Sequence, residues 1–123
     1  MDSAALERSI DTYCRAWSEP DLDKRRQLLQ EVWGERATYT DPRADISGLE
    51  ELVAHIGGIL AGRPGARVVR TSAVDSHHGL ARFAWRVVQA DGAMLPEGID
   101  FAEVSSDGKL SRIVGFFGPL AAK

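Results

Sequence analysis

One cysteine in 123 residues excludes an internal disulfide, and Cys14, with no activating base near it in sequence, reads as a small helix residue. No apolar run approaches the length of a bilayer span; one of the longest, IVGFFGPLAA at 113–122, stops far short of it, so no membrane partner is expected. The opening MDSAALERSI has an acid at its second position and no apolar stretch, so no secretory leader is expected, and a reducing cytoplasm is the expected location. Positive charge is not in excess. Fifteen Lys and Arg are scattered among eighteen Asp and Glu, a net charge of −3, which speaks against phosphate-backbone binding and a nucleic-acid partner. Histidine is scarce as well: His77 and His78 are neighbours in a turn, where side chains diverge, and His55 has no partner one helical turn on. No metal site and no cofactor are therefore expected. The run GGILAG at 57–62 has the glycines of a phosphate loop but ends a helix and lacks the lysine. No repeat, linker or low-complexity segment interrupts the chain, which is expected to form a single domain over 1–123.

What is present is an apolar content of 44% and a charged content of 27%, the make-up of a globular chain with one core. Ser3 can cap a helix with apolar residues at Leu6, Ile10, Tyr13 and Trp17, stopped by Glu19-Pro20. Asp21 or Asp23 can start a second, running through Leu22, Leu29, Val32 and Trp33 to Gly34. A short strand around ATYT at 37–40 follows. Ser47 with Glu50 forms a capping box ahead of Leu49, Leu52, Val53, Ile56, Ile59 and Leu60, a third helix closed by GRPG at 62–65.

From Ala66 onward the runs ARVVRTSAVD, LARFAWRVVQ, EGIDFAEVS and LSRIVGFF are rich in β-branched and aromatic residues and are separated by turn sequences. Helices first and strands second predict an α+β fold, with three N-terminal helices packed on one face of an antiparallel sheet. In LARFAWRVVQ, Phe83, Trp85 and Val87 share one face, while Ala84 and Val88 share the other with Arg82 and Arg86. Three helices cover only one face, so the other is expected to pair with a second copy as a homodimer through the sheet.

Three residues invite a chemical reading, each with a plain alternative. Asp41 precedes Pro42 in ATYTDP, which is a common way to leave a strand and equally a place for a working base. Asp100 shares its strand face with Gly98 and Ala102, so it has either room for a function or simply water around it. Tyr13 lies on an amphipathic helix, where an aromatic usually packs into a core.

Taken together, Tyr13, ATYTDP, SGLEEL, SHHGLARFAWRV and GIDFAEVSSDGKLSRI, in this order over residues 10–117, resemble the nuclear transport factor 2-like superfamily, and most of all its SnoaL-like and ketosteroid isomerase-like branches. The resemblance implies a cone: a strongly curved antiparallel sheet around three helices, with an apolar cavity opening at one end. In the isomerase branch a helix tyrosine, an aspartate before a proline, and an aspartate eight residues before the glycine of the last hairpin converge; here these are Tyr13, Asp41 and, counting back from Gly108, Asp100. The implied chemistry is proton abstraction next to a carbonyl, with Asp41 as ionised base and Tyr13 and a protonated Asp100 as donors to the enolate oxygen. By the same correspondence the helices contribute Trp17, Trp33 and Ile56 to the cavity wall. The strands contribute Phe83, Trp85, Val87, Ile113 and Phe117, a lining suited to a flat, largely apolar or aromatic ligand.

The chain also departs from the isomerase pattern. Trp33 and Ile56 stand where that branch keeps tyrosines that support the catalytic one. The implied function is therefore a SnoaL-like isomerase or cyclase using carboxylate-mediated proton transfer. The alternative is a non-catalytic module that binds a small ligand or holds a protein partner. The epoxide-hydrolase branch fits less well, since its Arg-x-Asp pairing would need an arginine at Gly98.

Overall fold

The computed structural model describes residues 2–123. Three helices, α1 (Ser3–Ala16), α2 (Leu22–Val32) and α3 (Leu49–Gly62), lie against seven strands: β1 (Trp33–Asp41), β2 (Ala44–Ser47), β3 (Arg67–Arg70), β4 (Asp75–His77), β5 (Leu80–Val88), β6 (Gly98–Val104) and β7 (Leu110–Phe117). None of the described helices is long and apolar enough to cross a membrane.

Each helix begins where the backbone finds an acceptor or a permissive residue. Asp2 takes the capping role expected of Ser3, its carboxylate accepting from Ala5 N at 2.7 Å, because an acidic side chain one residue earlier reaches the first turn. Asp21 does the same for α2, accepting from Lys24 N at 2.9 Å. The box expected of Ser47 and Glu50 does not form. Ser47 is still in β2, paired with Thr38, so the chain must turn at Gly48, whose φ of 83° glycine adopts freely, and Glu50 instead pairs with Arg26 at 2.8 Å. Nor does α2 run through Trp33 to Gly34: Trp33 is already extended and opens β1, a longer strand than ATYT alone.

The sheet is curved, unclosed and ordered β2-β1-β7-β6-β5-β3, with β4 also on β5. It is mixed, not wholly antiparallel as expected, because β1 pairs with β7 in parallel. From β4 onward sequence neighbours pair with one another and alternate in direction, while β3 and β4 run the same way along one edge of β5. The first and last long strands are separated by most of the chain, so either direction is open to them.

The helices cover the inner face, where Leu6, Ile10, Leu29, Leu52, Ile56, Leu110 and Ile113 form the core. Arg25 on α2 is buried beneath them and donates to the carbonyls of Glu19, Pro20 and Val53 at 3.0 Å each, tying α2 and the connection that precedes it to α3. On the outer face Leu80, Ile99, Phe101 and Phe116 are exposed.

Candidate functional site

A single row across four strands carries the two acids. Phe83 on β5 faces Asp100 on β6, Asp100 faces Gly115 on β7, and the parallel register of β1 with β7 brings Asp41 alongside Gly115. Gly115 matters through what it lacks: a Cβ there would stand 2.8 Å from Asp100 Oδ1 and 3.6 Å from Asp41 Cβ. The gap in the row is therefore what lets both carboxyl groups share the inner face.

Their surroundings differ. Asp41, at the end of β1, is half-buried, and both oxygens accept: Oδ2 from Tyr39 Oη at 2.5 Å, Oδ1 from the Arg43 backbone N–H at 2.7 Å. Asp100 is buried and receives one hydrogen bond, from Trp85 Nε1 to Oδ1 at 2.8 Å. Burial pushes the Asp100 carboxyl up to about 7; the Trp85 N–H opposes that rise and the charge on Asp41 adds to it. Tyr13, on α1 and stacked on Trp33 at the start of β1, is also buried. Burial first, then the charge at Asp100, hold its phenol well above the ordinary value, with the nearby Trp17 opposing the rise, and among the described residues its Oη makes no hydrogen bond of ordinary geometry. Next to it, burial raises the Cys14 thiol to about 12, which leaves it unreactive.

Around these groups lies a run of contacting rings. Tyr13 stacks on Trp33 at 5.9 Å and meets Trp17 edge-on at 6.4 Å; Trp17 in turn contacts Tyr39 at 5.3 Å and His55 at 5.8 Å. Among the described residues, Tyr13 Oη, Trp17 Nε1, Trp33 Nε1 and His55 Nε2 are all buried in this cluster without a partner. Buried polar atoms are normally satisfied, so four such atoms in one cluster are unusual.

The expected lining residues divide by depth. Trp17, Trp33, Ile56, Phe83 and Ile113 are buried, while Trp85 and Val87 are half-buried. Phe117, the last residue of β7, is not inside: it is 45% exposed and packs edge-on against Trp85 at 5.8 Å. Two surface depressions, of about 300 and 340 Å³, are lined partly by outer-face residues, Phe101 and Val114 in one and Arg86 and Ile99 in the other; neither is lined by the acids.

Two polar partners escape a reading of the sequence. Tyr39 and Asp41 are two apart on one strand and so share a face, which is the available signal for their bond. Trp85 reads as a wall residue, and its N–H becomes visible as a partner only once the register sets it opposite Gly98.

No family model matches the sequence, and no curated protein does. Among solved structures, a candidate isomerase of the SnoaL-like family from Agrobacterium tumefaciens is 30% identical, with 94% of this chain and 99% of that one covered at a TM-score of 0.88. The chain belongs to the SnoaL-like family. More distant likenesses show the fold alone. A candidate ketosteroid isomerase from Kribbella flavida is 18% identical (TM-score 0.71, 99% of this chain and 83% of that one). A protein of unknown function with a cystatin-like fold from Methylobium petroleophilum is 17% identical (TM-score 0.78, 100% and 82%). This SnoaL-like chain thus carries, on the inner face of its sheet, one half-buried and one buried carboxyl group with a buried phenol nearby.

Proposed function

We propose that this SnoaL-like chain is a small-molecule isomerase or cyclase that moves a proton beside the carbonyl of an apolar, largely flat compound, using its own side chains. The observation that carries the reading is the unequal pair of acids across Gly115. Asp41 accepts two hydrogen bonds and is reachable, as a base must be; Asp100 is shut away and holds a proton near neutral pH, as a donor must. Asp41 takes the proton from the carbon next to the carbonyl, and the bonding pair moves onto the carbonyl oxygen. The Tyr13 hydroxyl and the protonated Asp100 donate to that developing oxyanion, in a region where few other groups compete for them. Return of the proton to another carbon completes an isomerisation; attack of the enolate on a second carbonyl closes a ring.

Because the rings of Tyr13, Trp17, Trp33 and Tyr39 fill the interior, a substrate arriving past Trp85 and Phe117 has to part them. The same packing favours a second reading, a non-catalytic binder in which those rings close over a small ligand. The two separate by experiment. Ketones and polycarbonyl compounds are screened by thermal shift, and each hit is then incubated in D2O to follow exchange beside its carbonyl. Exchange with the wild type that is lost in Asp41→Asn supports the enzyme. Hits that shift the melting point without exchange support the binder, and exchange that survives in Asp41→Asn removes Asp41 as base.

The exposed Leu80, Ile99, Phe101 and Phe116 support a further part of the proposal, that the outer face of the sheet meets a second copy in a homodimer.

A further inference from the structure

We propose that Trp85 is a positioning residue for Asp100: its indole N–H, seated by the notch at Gly98, fixes Oδ1 and leaves Oδ2 as the oxygen that donates. The inference rests on the reading of Asp100 as the neutral donor and gives Trp85 a role beyond lining the wall.

The geometry carries it. Trp85 on β5 pairs with Gly98 on β6, and Asp100 lies two residues further along the same face. Gly98 is flanked on its other side by Phe117, so the three form a row beside the row of acids. A Cβ at Gly98 would collide with Trp85 Cζ2, stand 2.7 Å from Cε2 and 2.9 Å from the Phe116 carbonyl oxygen. The indole therefore lies flat where any other residue would hold a side chain, with the edge of Phe117 perpendicular to it at 5.8 Å. Placed this way, Nε1 reaches Asp100 Oδ1 at 2.8 Å.

An indole N–H donates and cannot accept. With Oδ1 engaged by it, the proton of a neutral Asp100 is carried on Oδ2, so the direction of the donor is set by a residue that need not touch the reacting atoms. The titratable groups that interact electrostatically with Asp100 are Asp41 and Tyr39 on β1 and Tyr13 and Cys14 on α1, and its paired neighbour on β7 is Gly115. Asp41 and the Trp85 N–H act in opposite senses. The charge on Asp41 disfavours ionisation of Asp100, and the N–H from Trp85 favours it.

The test uses the full chain labelled with 13C at Asp carboxyls, with Asp100→Asn to assign the resonance, and requires no substrate. In Trp85→Phe, which keeps a ring over Gly98, the Asp100 midpoint is expected to rise by about one pH unit, since a hydrogen bond to the charged form is lost. An unmoved midpoint in the folded variant overturns the inference, because a ring that merely packs would leave it there. If Trp85→Phe does not fold, the Trp85 Nε1–H resonance of the wild type decides: it should shift with the same midpoint as the Asp100 carboxyl, and a flat response overturns the inference. A wild-type Asp100 that titrates near 4 would instead remove the functional reading itself, a separate outcome of the same titration.

Discussion

Tyr39 Oη donates to Asp41 Oδ2 at 2.5 Å, from two residues back on the same face of β1. The bond gives the proposed base a fixed orientation and costs the strand nothing, since alternate residues already project together. Tyr39→Phe is expected to keep the fold, to lower stability by about 1–2 kcal/mol in urea unfolding, and to reduce any Asp41-dependent exchange about tenfold. Stability unchanged from wild type would show that the bond contributes nothing.

Asp100 makes stability depend on pH in a defined direction. Burial raises its carboxyl from 3.8 to about 7, so the folded state binds the proton more tightly than the unfolded one. Its contribution is therefore fully present below about 4 and is lost as pH rises towards 7, an effect on the order of 4 kcal/mol. Other groups titrate in the same window, so the informative quantity is a difference: relative to Asp100→Asn, the wild type should lose stability from pH 4 to pH 7. Parallel curves for the two proteins would contradict this.

Adding one methyl group should have opposite effects at two glycines. At Gly115 it would press on Asp100 Oδ1 at 2.8 Å, and Gly115→Ala is expected to cost about 1–3 kcal/mol and to displace the acid. At Gly58, within α3, nothing lies within 4 Å, and Gly58→Ala is expected to stabilise by about 0.5–1 kcal/mol through helix propensity. Thermal denaturation of both variants checks the sign.

How far such sites could be read from sequence depended on whether the relevant contact is local. The α1 stripe of Leu6, Ile10 and Tyr13, the three helices and the fields of strand after Ala66 follow from periodicity and turn residues, and the α+β fold follows with them, although β2, between β1 and α3, has no such signal. The parallel pairing of β1 with β7 does not, because it is a contact between distant segments with no local signature. The same limit applies at the site. Gly98 and Gly115 look like two ordinary small residues until the register shows one underlying an indole and the other separating two acids. The helix starts shift by one residue from the sequence reading for two different reasons: Asp2 reaches the first turn of α1 ahead of Ser3, and Ser47 is held in β2, so that the chain turns into α3 at Gly48.

The outer face yields a prediction independent of the acids. Phe101 and Phe116 are exposed and meet edge-on at 6.1 Å, an arrangement more useful against a partner than against water. In sedimentation, the wild type is expected to run as a dimer and Phe101→Glu as a monomer. A monomeric wild type at micromolar concentration would contradict the dimer.

The central claim is that the inner face of the sheet holds, at Asp100, a buried carboxyl group that keeps its proton far above the usual carboxylate range. Direct 13C titration of the Asp100 carboxyl in the wild type tests it without a substrate. The account predicts that Asp100 is half-protonated at about 7. A midpoint near 4, the value of a solvated aspartate, would contradict it.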